Sequence, residues 1–241
     1  MNILLASSEV YPYSKTGGLG DMLGAMAKTL AQSGAKVSVV TPLYRGLFER
    51  FPDIQPLGWR ITLPLGARWV EAELFVREPQ AGLRVLFVHQ TEFFQRAGLY
   101  QEEGRDYADN GARFIFFAKC VAYLARHLQE RPDVVHAHDW QAGLVPLFIR
   151  DQQRRDGWNQ PPATCLTIHN LAYQGLFPAS EYALTNLPLD YWHPGGVEFY
   201  QHLNCLKAGL HYADGLTTVS PRYAREILTE AYGCGLDGVL R

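Results

Sequence analysis

Short apolar runs alternate with helix-like segments along most of this chain, and that alternation constrains the fold more than any single motif does. Six runs have the length and composition of buried strands: Asn2–Ser7, Lys36–Thr41, Leu83–Val88, Val134–Ala137, Cys165–Ile168 and Gly215–Val219. Five segments have the pattern of helices: Met22–Ser33, Asn110–Leu128, Gln141–Gln153, Glu198–Ala213 and Pro221–Ala231. Alternating strands and helices form parallel sheets with helices on both faces. The sequence therefore predicts an α/β fold with a mainly parallel sheet.

The pattern changes between Trp59 and Val76. Apolar and polar residues alternate in Ile61–Leu65 and again in Trp69–Val76, on either side of Gly66-Ala67. A two-residue period around a glycine turn predicts an antiparallel hairpin, which we expect to extend one edge of the sheet. The sequence contains no internal repeat and no low-complexity linker, so we predict that residues 1–241 form one domain.

Composition and charge exclude several classes of protein. The net charge is −2, and no run of lysine and arginine is longer than two residues, so a nucleic-acid partner is not expected. No apolar stretch is long enough to span a membrane, and no signal peptide is visible. The cysteines, Cys120, Cys165, Cys205 and Cys234, are widely spaced and form no C-x-x-C pair. These features predict a cytoplasmic protein with reduced thiols and no membrane partner.

A glycine-rich loop follows the first predicted strand, with a lysine at its entrance and an aspartate at its exit. It reads Lys-Thr-Gly-Gly-Leu-Gly-Asp over residues 15–21, and a predicted helix follows it. A strand, a glycine loop and a helix present backbone N–H groups and a helix N-terminus to a phosphate, and Lys15 adds a positive charge. The alternative is a tight turn in which Asp21 caps the helix. The loop alone leaves both interpretations open.

Two familiar phosphate motifs fit this loop poorly. Lys15 precedes the glycines, so the Walker A pattern fails. Gly18, Gly20 and Gly24 approach the dinucleotide-binding spacing, but residues 7–16 intervene between the strand and the glycines. The second strand also ends in Val-Val-Thr-Pro, without the acidic residue that would bind a ribose. A nicotinamide or flavin site is therefore disfavoured, and no cofactor is expected.

Polar residues follow several of the predicted strands at their carboxyl ends. They are Glu9, Lys15, His138, Asp139, His169 and Asn170. Ligands of open parallel sheets bind outside these strand ends, so we predict a ligand site at this edge. Asp139 and Asn170 also have local interpretations, as a helix N-cap and as a turn residue.

A metal centre is the other reading of His136, His138 and Asp139. Strand alternation places the two histidines on one face. A metal usually needs a third or fourth donor at suitable spacing, and His169 is the only obvious candidate. The chain also has no D-x-D triplet and no G-x-S-x-G elbow. We therefore predict hydrogen-bonding roles for these residues and no metal.

Six segments taken together resemble the bacterial glycogen synthase and plant starch synthase family. They lie at residues 7–21, 134–144, 167–175, 206–214, 218–227 and 232–240, so the resemblance runs through nearly the whole chain. The lysine–glycine loop combined with His-Ala-His-Asp-Trp at 136–140 is the most specific part. Enzymes of this family have two Rossmann-like domains facing a cleft, the GT-B type, and this chain resembles only the first domain.

The resemblance implies transfer of glucose from ADP-glucose to the non-reducing end of an α-1,4-glucan, with retention and without a metal. It implies that Lys15, Gly17 and Gly18 contact the donor phosphates. Asp139 and His169 match catalytic positions beside the transferred glucose, and Asn170 matches a donor-binding position. Further candidates for contact with sugar are Glu9, Asp21, Tyr100 and Gln174.

The second domain of the family carries the base pocket, further basic residues and a carboxylate at the reaction centre, and this chain resembles none of it. The glycine-rich stretch at 232–241 also suggests one domain of something larger. We therefore expect the chain to fold alone and to need its own C-terminal domain as partner for catalysis. The alternative is a glucan- or nucleotide-binding module without chemistry. A dehydrogenase is opposed by the missing acidic residue after the second strand.

Overall fold

The computed structural model describes all residues from Met1 to Arg241. The strands are β1 Asn2–Ala6, β2 Lys36–Pro42, β3 Gln55–Leu65, β4 Arg68–Gln80, β5 Leu83–His89, β6 Gln101–Glu102, β7 Arg105–Asp106, β8 Val134–His138, β9 Ala163–Ile168, β10 Leu176–Pro178, β11 Glu198–Phe199, β12 His202–Asn204 and β13 Gly215–Thr218. The α-helices are α1 Gly18–Gln32, α2 Leu47–Arg50, α3 Thr91–Phe94, α4 Asn110–His127, α5 Val145–Asp156, α6 Cys205–Tyr212, α7 Pro221–Glu226 and α8 Asp237–Leu240. Short 3-10 helices lie at Trp140–Ala142, Ala179–Thr185 and Leu189–Tyr191.

One eight-stranded sheet organises the molecule. Its strand order is β13-β9-β8-β1-β2-β5-β4-β3, and all neighbours from β13 to β5 are parallel. After Asn2, the central strand β1 is apolar, as expected for a strand with helices on both faces of its sheet, and Leu4, Leu5 and Ala6 are fully buried. The prediction of a mainly parallel α/β sheet is confirmed.

Helices cover the sheet on both faces. From β1 the chain steps to β2 in one direction, whereas from β8 it steps to β9 in the other. Right-handed crossovers therefore place α1 and α5 on opposite faces. Helix α1 packs against β2 and β5, whereas α5 packs against both α4 and α6. No helix combines the length and the apolar character needed to cross a membrane.

The predicted hairpin is present and extends the sheet at one edge. It is longer than predicted, because β3 and β4 span Gln55–Leu65 and Arg68–Gln80. Gly66 at the turn has a φ of +63°, a left-handed conformation that glycine adopts without strain. β4 pairs with β5 and connects the hairpin to the parallel strands.

The predicted helix over Glu198–Ala213 is wrong in its first half. Residues 198–204 form the two short strands β11 and β12, and α6 begins at Cys205. Asn204 caps α6, since its Oδ1 accepts the N–H of Lys207 at 2.9 Å. The Lys207 ammonium donates to the carbonyls of Pro194 and Glu198, so the preceding segment folds back on the helix. These contacts join residues 9 and 13 positions apart, beyond the spacing of neighbours within a helix, so helix periodicity does not report them.

Two other predicted helices have different limits. The segment predicted to be helical over Gln141–Gln153 begins as a 3-10 turn, and α5 starts only at Val145, with a proline in its first turn. A Cβ on Gly143 would lie 2.3 Å from the carbonyl oxygen of Cys205, so this turn packs directly against the start of α6. Helix α7 ends at Glu226 instead of Ala231.

Candidate active site

The carboxyl ends of the adjacent strands β1, β8 and β9 lie at one edge of the sheet. The loops that follow them carry most of the residues predicted for the site. The loop after β1 carries Glu9, Lys15, Gly17 and Gly18, and the other two carry Asp139, His169 and Asn170. Tyr100 reaches the same edge from the segment between α3 and α4.

The carboxylate of Glu9 points inward and fixes the glycine loop. Its Oε2 accepts the N–H of Thr16 at 2.6 Å, and its Oε1 accepts the Thr16 hydroxyl at 2.7 Å. Oε1 also accepts the hydroxyl of Tyr100 at 2.7 Å, and Ser8 Oγ lies 2.7 Å from the same hydroxyl. Glu9 is buried, and both of its carboxylate oxygens accept hydrogen bonds from these protein donors. The sequence proposed Glu9 and Tyr100 as sugar contacts, and gave no signal for Ser8 or Thr16.

The remaining part of the loop is open. Helix α1 begins at Gly18, and its N-cap residue Gly17 makes no side-chain cap. A Cβ built on either glycine would meet no atom within 4 Å, so a ligand can approach this backbone closely. Lys15 Nζ lies 2.6 Å from Asp21 Oδ2, and both side chains are about half exposed, at 46% and 51%. Asp21 thus pairs with Lys15 in the first turn and does not cap the helix, so the capping alternative is wrong.

Two other glycines near this loop serve packing. A Cβ on Gly20 would lie 2.9 Å from the carbonyl oxygen of Ser14, and one on Gly24 would lie 2.6 Å from that of Tyr11. The N–H of Tyr11 donates to the carbonyl of Gly20 at 3.0 Å. These glycines let α1 lie against the loop. The part of the glycine spacing that approaches a dinucleotide motif therefore serves packing.

Three histidines lie close together where β8 and β9 end, and one of them, His138, is fully buried. The rings of His136 and His138 stack with centroids 4.2 Å apart, and His138 Nδ1 lies 3.2 Å from His169 Nε2. His136 Nε2 lies 2.6 Å from Thr167 Oγ1. Burial, with a smaller contribution from His169, lowers the pKa of His136 to about 4, and burial also depresses the pKa of His138 well below its usual value. Both rings are therefore neutral at pH 7. No group of three or more His, Cys, Asp or Glu has an arrangement suited to a metal ion.

Asp139 has a strained backbone and a perturbed carboxyl group. Its φ of +55° and ψ of −173° are rare for a residue with a side chain and cost about 1–3 kcal/mol. Its Oδ1 accepts the N–H of His169 at 2.7 Å. Burial raises the pKa of Asp139 to about 7, although hydrogen bonds from the backbone of His169 and Asn170 act in the opposite direction. Asp139 stands at the predicted N-cap position of the following 3-10 helix, but its side chain makes no cap hydrogen bond there.

His169 and Asn170 form the turn that follows β9. Burial lowers the pKa of the half-buried His169, and the charge of Glu9 partly opposes this. Asn170 is exposed, and its Oδ1 accepts the N–H of Ala172 at 3.0 Å, as a turn-forming asparagine does. The hydroxyl of Tyr223 accepts the N–H of Leu171 at 2.9 Å. Sequence reasoning missed Tyr223, because nothing in its local sequence connects it to this turn.

Gln174 lies behind the turn and is buried. Its Nε2 donates to the carbonyl of Cys234 at 2.9 Å, and its Oε1 accepts the side-chain N–H of Asn204 at 2.7 Å. The side chain thus joins the turn after β9 to the glycine-rich C-terminal segment. The sequence proposed it as a sugar contact.

Comparison with known proteins gives consistent results across the chain. A sequence model described as the starch synthase catalytic domain matches residues 2–241. A glycogen synthase from Opitutus terrae is 44% identical over 242 aligned residues, and one from Anaeromyxobacter sp. (strain Fw109-5) is 46% identical. Both alignments cover 100% of this chain and 50% of the relative. The chain therefore spans about half the length of these relatives.

A solved structure has the same fold. The catalytic domain of starch synthase IV from Arabidopsis thaliana, bound to ADP and acarbose, matches with a TM-score of 0.86 and 27% identity. The match covers 99% of this chain and 48% of that one. That neighbour is a GT-B glycosyltransferase catalytic domain, and the mostly parallel sheet of this chain, with helices around it, has the same fold. The match over residues 2–241 identifies the family: the chain belongs to the starch synthase catalytic domain family.

Proposed function

We propose that residues 1–241 are the N-terminal catalytic domain of a retaining glucosyltransferase that moves glucose from ADP-glucose to the non-reducing end of an α-1,4-glucan. The observation that carries the proposal is the meeting of two different environments at one sheet edge. An open loop with a lysine and a helix N-terminus lies beside a dehydrated group of histidines and an aspartate. The ADP and acarbose bound to the starch synthase IV relative support this choice of donor and acceptor.

The loop after β1 suits the departing diphosphate. Negative charge develops on this group as the glycosidic bond to the donor breaks. The first turn of α1 has N–H groups without partners in the helix, and the open backbone at Gly17 and Gly18 lets phosphate oxygens reach them. Lys15 adds a full positive charge once its ion pair with Asp21 is replaced by an ion pair with the phosphate. Charge placed in advance of the reaction stabilises the transition state without reorganisation.

Asp139 and the histidines suit the sugar of the donor. Retaining transfer develops positive charge on the sugar ring near the anomeric carbon. We assign the binding of this sugar to the carboxyl group of Asp139, with a pKa of about 7, and to His169, whose N–H is held by that carboxyl group. The neutral histidines behind them add no positive charge that would oppose it.

A second domain is part of the proposal, because the relatives are about twice as long as this chain. We assign the adenine pocket and further phosphate contacts to that domain, and a transition state held between two domains needs both. The 241 residues alone are then expected to fold without transferring glucose. We also propose a cytoplasmic location, in keeping with four unpaired cysteines of which two are buried.

The test is an incorporation assay on two proteins side by side, the 241-residue chain and the full-length protein that carries it. Labelled ADP-glucose and glycogen are supplied, with labelled UDP-glucose in a parallel reaction. We expect transfer from ADP-glucose only with the full-length protein. Calorimetry should show weak or no ADP-glucose binding by the 241-residue chain. Absence of transfer by the full-length protein, combined with retained glycogen binding, would instead support the binding-module alternative.

A further inference from the structure

Three imidazole rings contact one another in series at the ends of β8 and β9. The ring of His136 stacks on that of His138 with centroids 4.2 Å apart, and His138 Nδ1 lies 3.2 Å from His169 Nε2. Burial lowers the pKa of each ring below its ordinary value, so all three are neutral at pH 7. A neutral imidazole carries a proton on one nitrogen and a lone pair on the other. The contact between His138 and His169 therefore has a direction, because one ring donates and the other accepts.

Two arrangements of the protons are compatible with this contact. In the first, the proton of His138 is on Nδ1 and is donated to Nε2 of His169, which leaves only a lone pair on His138 Nε2. In the second, Nε2 of His169 donates, and the proton of His138 is then on its own Nε2. The two arrangements therefore differ at His138 Nε2, which has a lone pair in the first and an N–H group in the second.

The surroundings of His138 Nε2 favour the first arrangement. His138 is fully buried, and its Nε2 has no hydrogen-bond partner. A ring N–H points outward in the plane of the ring, whereas His136 lies over the face of the ring and cannot accept from it. Buried N–H groups without an acceptor are rarer in proteins than buried acceptors without a donor. The proton of His138 is therefore best satisfied on Nδ1, where His169 accepts it.

The first arrangement also determines the tautomer of His169. Because Nε2 of His169 accepts from His138, the proton of this neutral ring lies on Nδ1. That Nδ1 has no hydrogen-bond partner in the protein and is not enclosed by it, so a ligand can reach it. His169 then offers a ligand a hydrogen-bond donor at Nδ1 instead of an acceptor.

We propose that His138 is a positioning residue that fixes the tautomer of His169, so that His169 Nδ1 presents its N–H to an oxygen of the bound sugar. The ligand in this statement rests on the proposed function, whereas the tautomer does not depend on it. His138 is fully buried, so it acts on a ligand only through His169. A donor whose direction is set before binding needs no reorganisation when the sugar arrives.

Nuclear magnetic resonance of the 241-residue chain, with isotopic labels at the ring nitrogens of histidine, measures the tautomers directly. Protonated and unprotonated ring nitrogens have clearly different chemical shifts, and the signals of His169 are identified by their loss in His169→Gln. Without any ligand at pH 7, we expect the protons of His138 and His169 on their Nδ1 atoms. We also expect a scalar coupling between the two rings across the hydrogen bond, with the shared proton attached to His138. A proton on His169 Nε2 in the wild type would overturn the proposal.

His138→Phe and His136→Phe form a matched pair, because each replaces one ring of the same stack by a ring without nitrogen. In His138→Phe nothing donates to His169 Nε2, so both ring nitrogens of His169 should move toward the averaged shifts of exchanging tautomers. In His136→Phe the bond between His138 and His169 remains, and the Thr167 hydroxyl keeps its contact with Thr217 at 2.6 Å. The shifts of His169 should then stay as in the wild type. Unchanged shifts of His169 in His138→Phe would overturn the proposal, and if this variant does not fold, the coupling in the wild type decides.

The same pair of variants tests the consequence for the reaction in the full-length protein. His138→Phe should lower kcat/KM for ADP-glucose roughly tenfold, as expected for the loss of one well-placed hydrogen bond. His136→Phe should lower it less, and equal losses in both variants would overturn the proposal, since a common packing effect would explain them. The tautomer measurement needs neither donor nor turnover, so its failure is distinguishable from a failure of glucosyl transfer.

Discussion

Two neighbouring regions of the sheet edge are built in opposite ways. The loop of Lys15, Gly17 and Gly18 is exposed, and its lysine is paired only with Asp21, an equally exposed residue. At the end of the neighbouring strand β8, His138 and Asp139 are buried, and burial moves the pKa of each away from its ordinary value. The first region keeps charges in water, where a ligand can replace their partner at little cost. The second removes water, so that each polar group interacts strongly with whatever is placed beside it.

This difference indicates that the two regions have different roles. An exposed ion pair contributes about 1 kcal/mol or less, so Asp21 opposes only weakly the transfer of Lys15 to a phosphate. The strained Asp139 and its bond to His169 cost stability, and that cost is tolerated where a fixed geometry is needed. The variants below test whether the exposed region governs donor binding and the buried region governs pH dependence.

The largest effect is expected from Lys15→Ala in the full-length protein. Loss of one charged contact to the developing diphosphate should lower transferase activity by roughly ten- to a thousandfold. Lys28→Ala, on the same helix but beyond its first turn, is the control and should change activity less than about twofold. Unchanged kcat and KM for ADP-glucose in Lys15→Ala would remove the lysine from the site.

Asp139→Asn should change the pH dependence of stability. Burial raises the pKa of Asp139 to about 7, so the native state holds a proton that the unfolded chain has already lost between about pH 4 and 7. The free energy of unfolding therefore falls with rising pH across that window because of this group. Asparagine keeps the acceptor for His169 without the charge. The free energy of unfolding of the variant, measured relative to that of the wild type, should therefore rise by about 2–4 kcal/mol between pH 4 and pH 8.

Urea unfolding of the 241-residue chain at three pH values measures this difference. The histidines contribute equally to both proteins and cancel in the comparison. A difference between variant and wild type that does not change with pH would show that Asp139 is ionised normally. Activity of the full-length variant should fall despite its greater stability.

Glu9→Gln should act through the glycine loop. The carboxylate accepts from Thr16 and Tyr100, and an amide can satisfy only part of this set because one of its ends is a donor. The loop should then lose its fixed position, and the KM for ADP-glucose should rise about tenfold, with a smaller change in kcat. Tyr100→Phe removes one donor and should have a smaller effect in the same direction. A large fall in kcat at constant KM would instead favour a direct role of Glu9 at the sugar.

The smallest effect is expected from chelators. If the loop and Lys15 stabilise the diphosphate without an ion, EDTA should leave transferase activity of the full-length protein unchanged within error. Loss of activity that Mg²⁺, Mn²⁺ or Zn²⁺ restores would instead support a metal site at His136, His138 and Asp139.

Elements with a strong local signal were predictable from the sequence. The parallel strands are short segments that are mostly rich in apolar residues, and the hairpin alternates with a period of two, so both follow from the pattern itself. The edge at which the polar residues meet then follows from the rule for parallel sheets. The resemblance to a family supplied the reaction, which no pattern of residues in this chain specifies alone.

The remaining features depend on contacts between distant parts of the chain. The short strands at 198–204 are held by Lys207 and cannot be separated from a helix by periodicity. The inward direction of Glu9 depends on Tyr100, which lies 91 residues further along the chain. The left-handed backbone of Asp139 is imposed by its neighbours, because an aspartate rarely adopts that conformation by itself.

The bond between Gln174 and Cys234 has a mechanical consequence. It is one of a short series of links that runs from the turn of His169, through a buried amide, to a segment of the chain 60 residues later. A displacement of that later segment would strain this bond and the turn that follows β9. We therefore expect the turn after β9 and the glycine-rich C-terminal segment to move together.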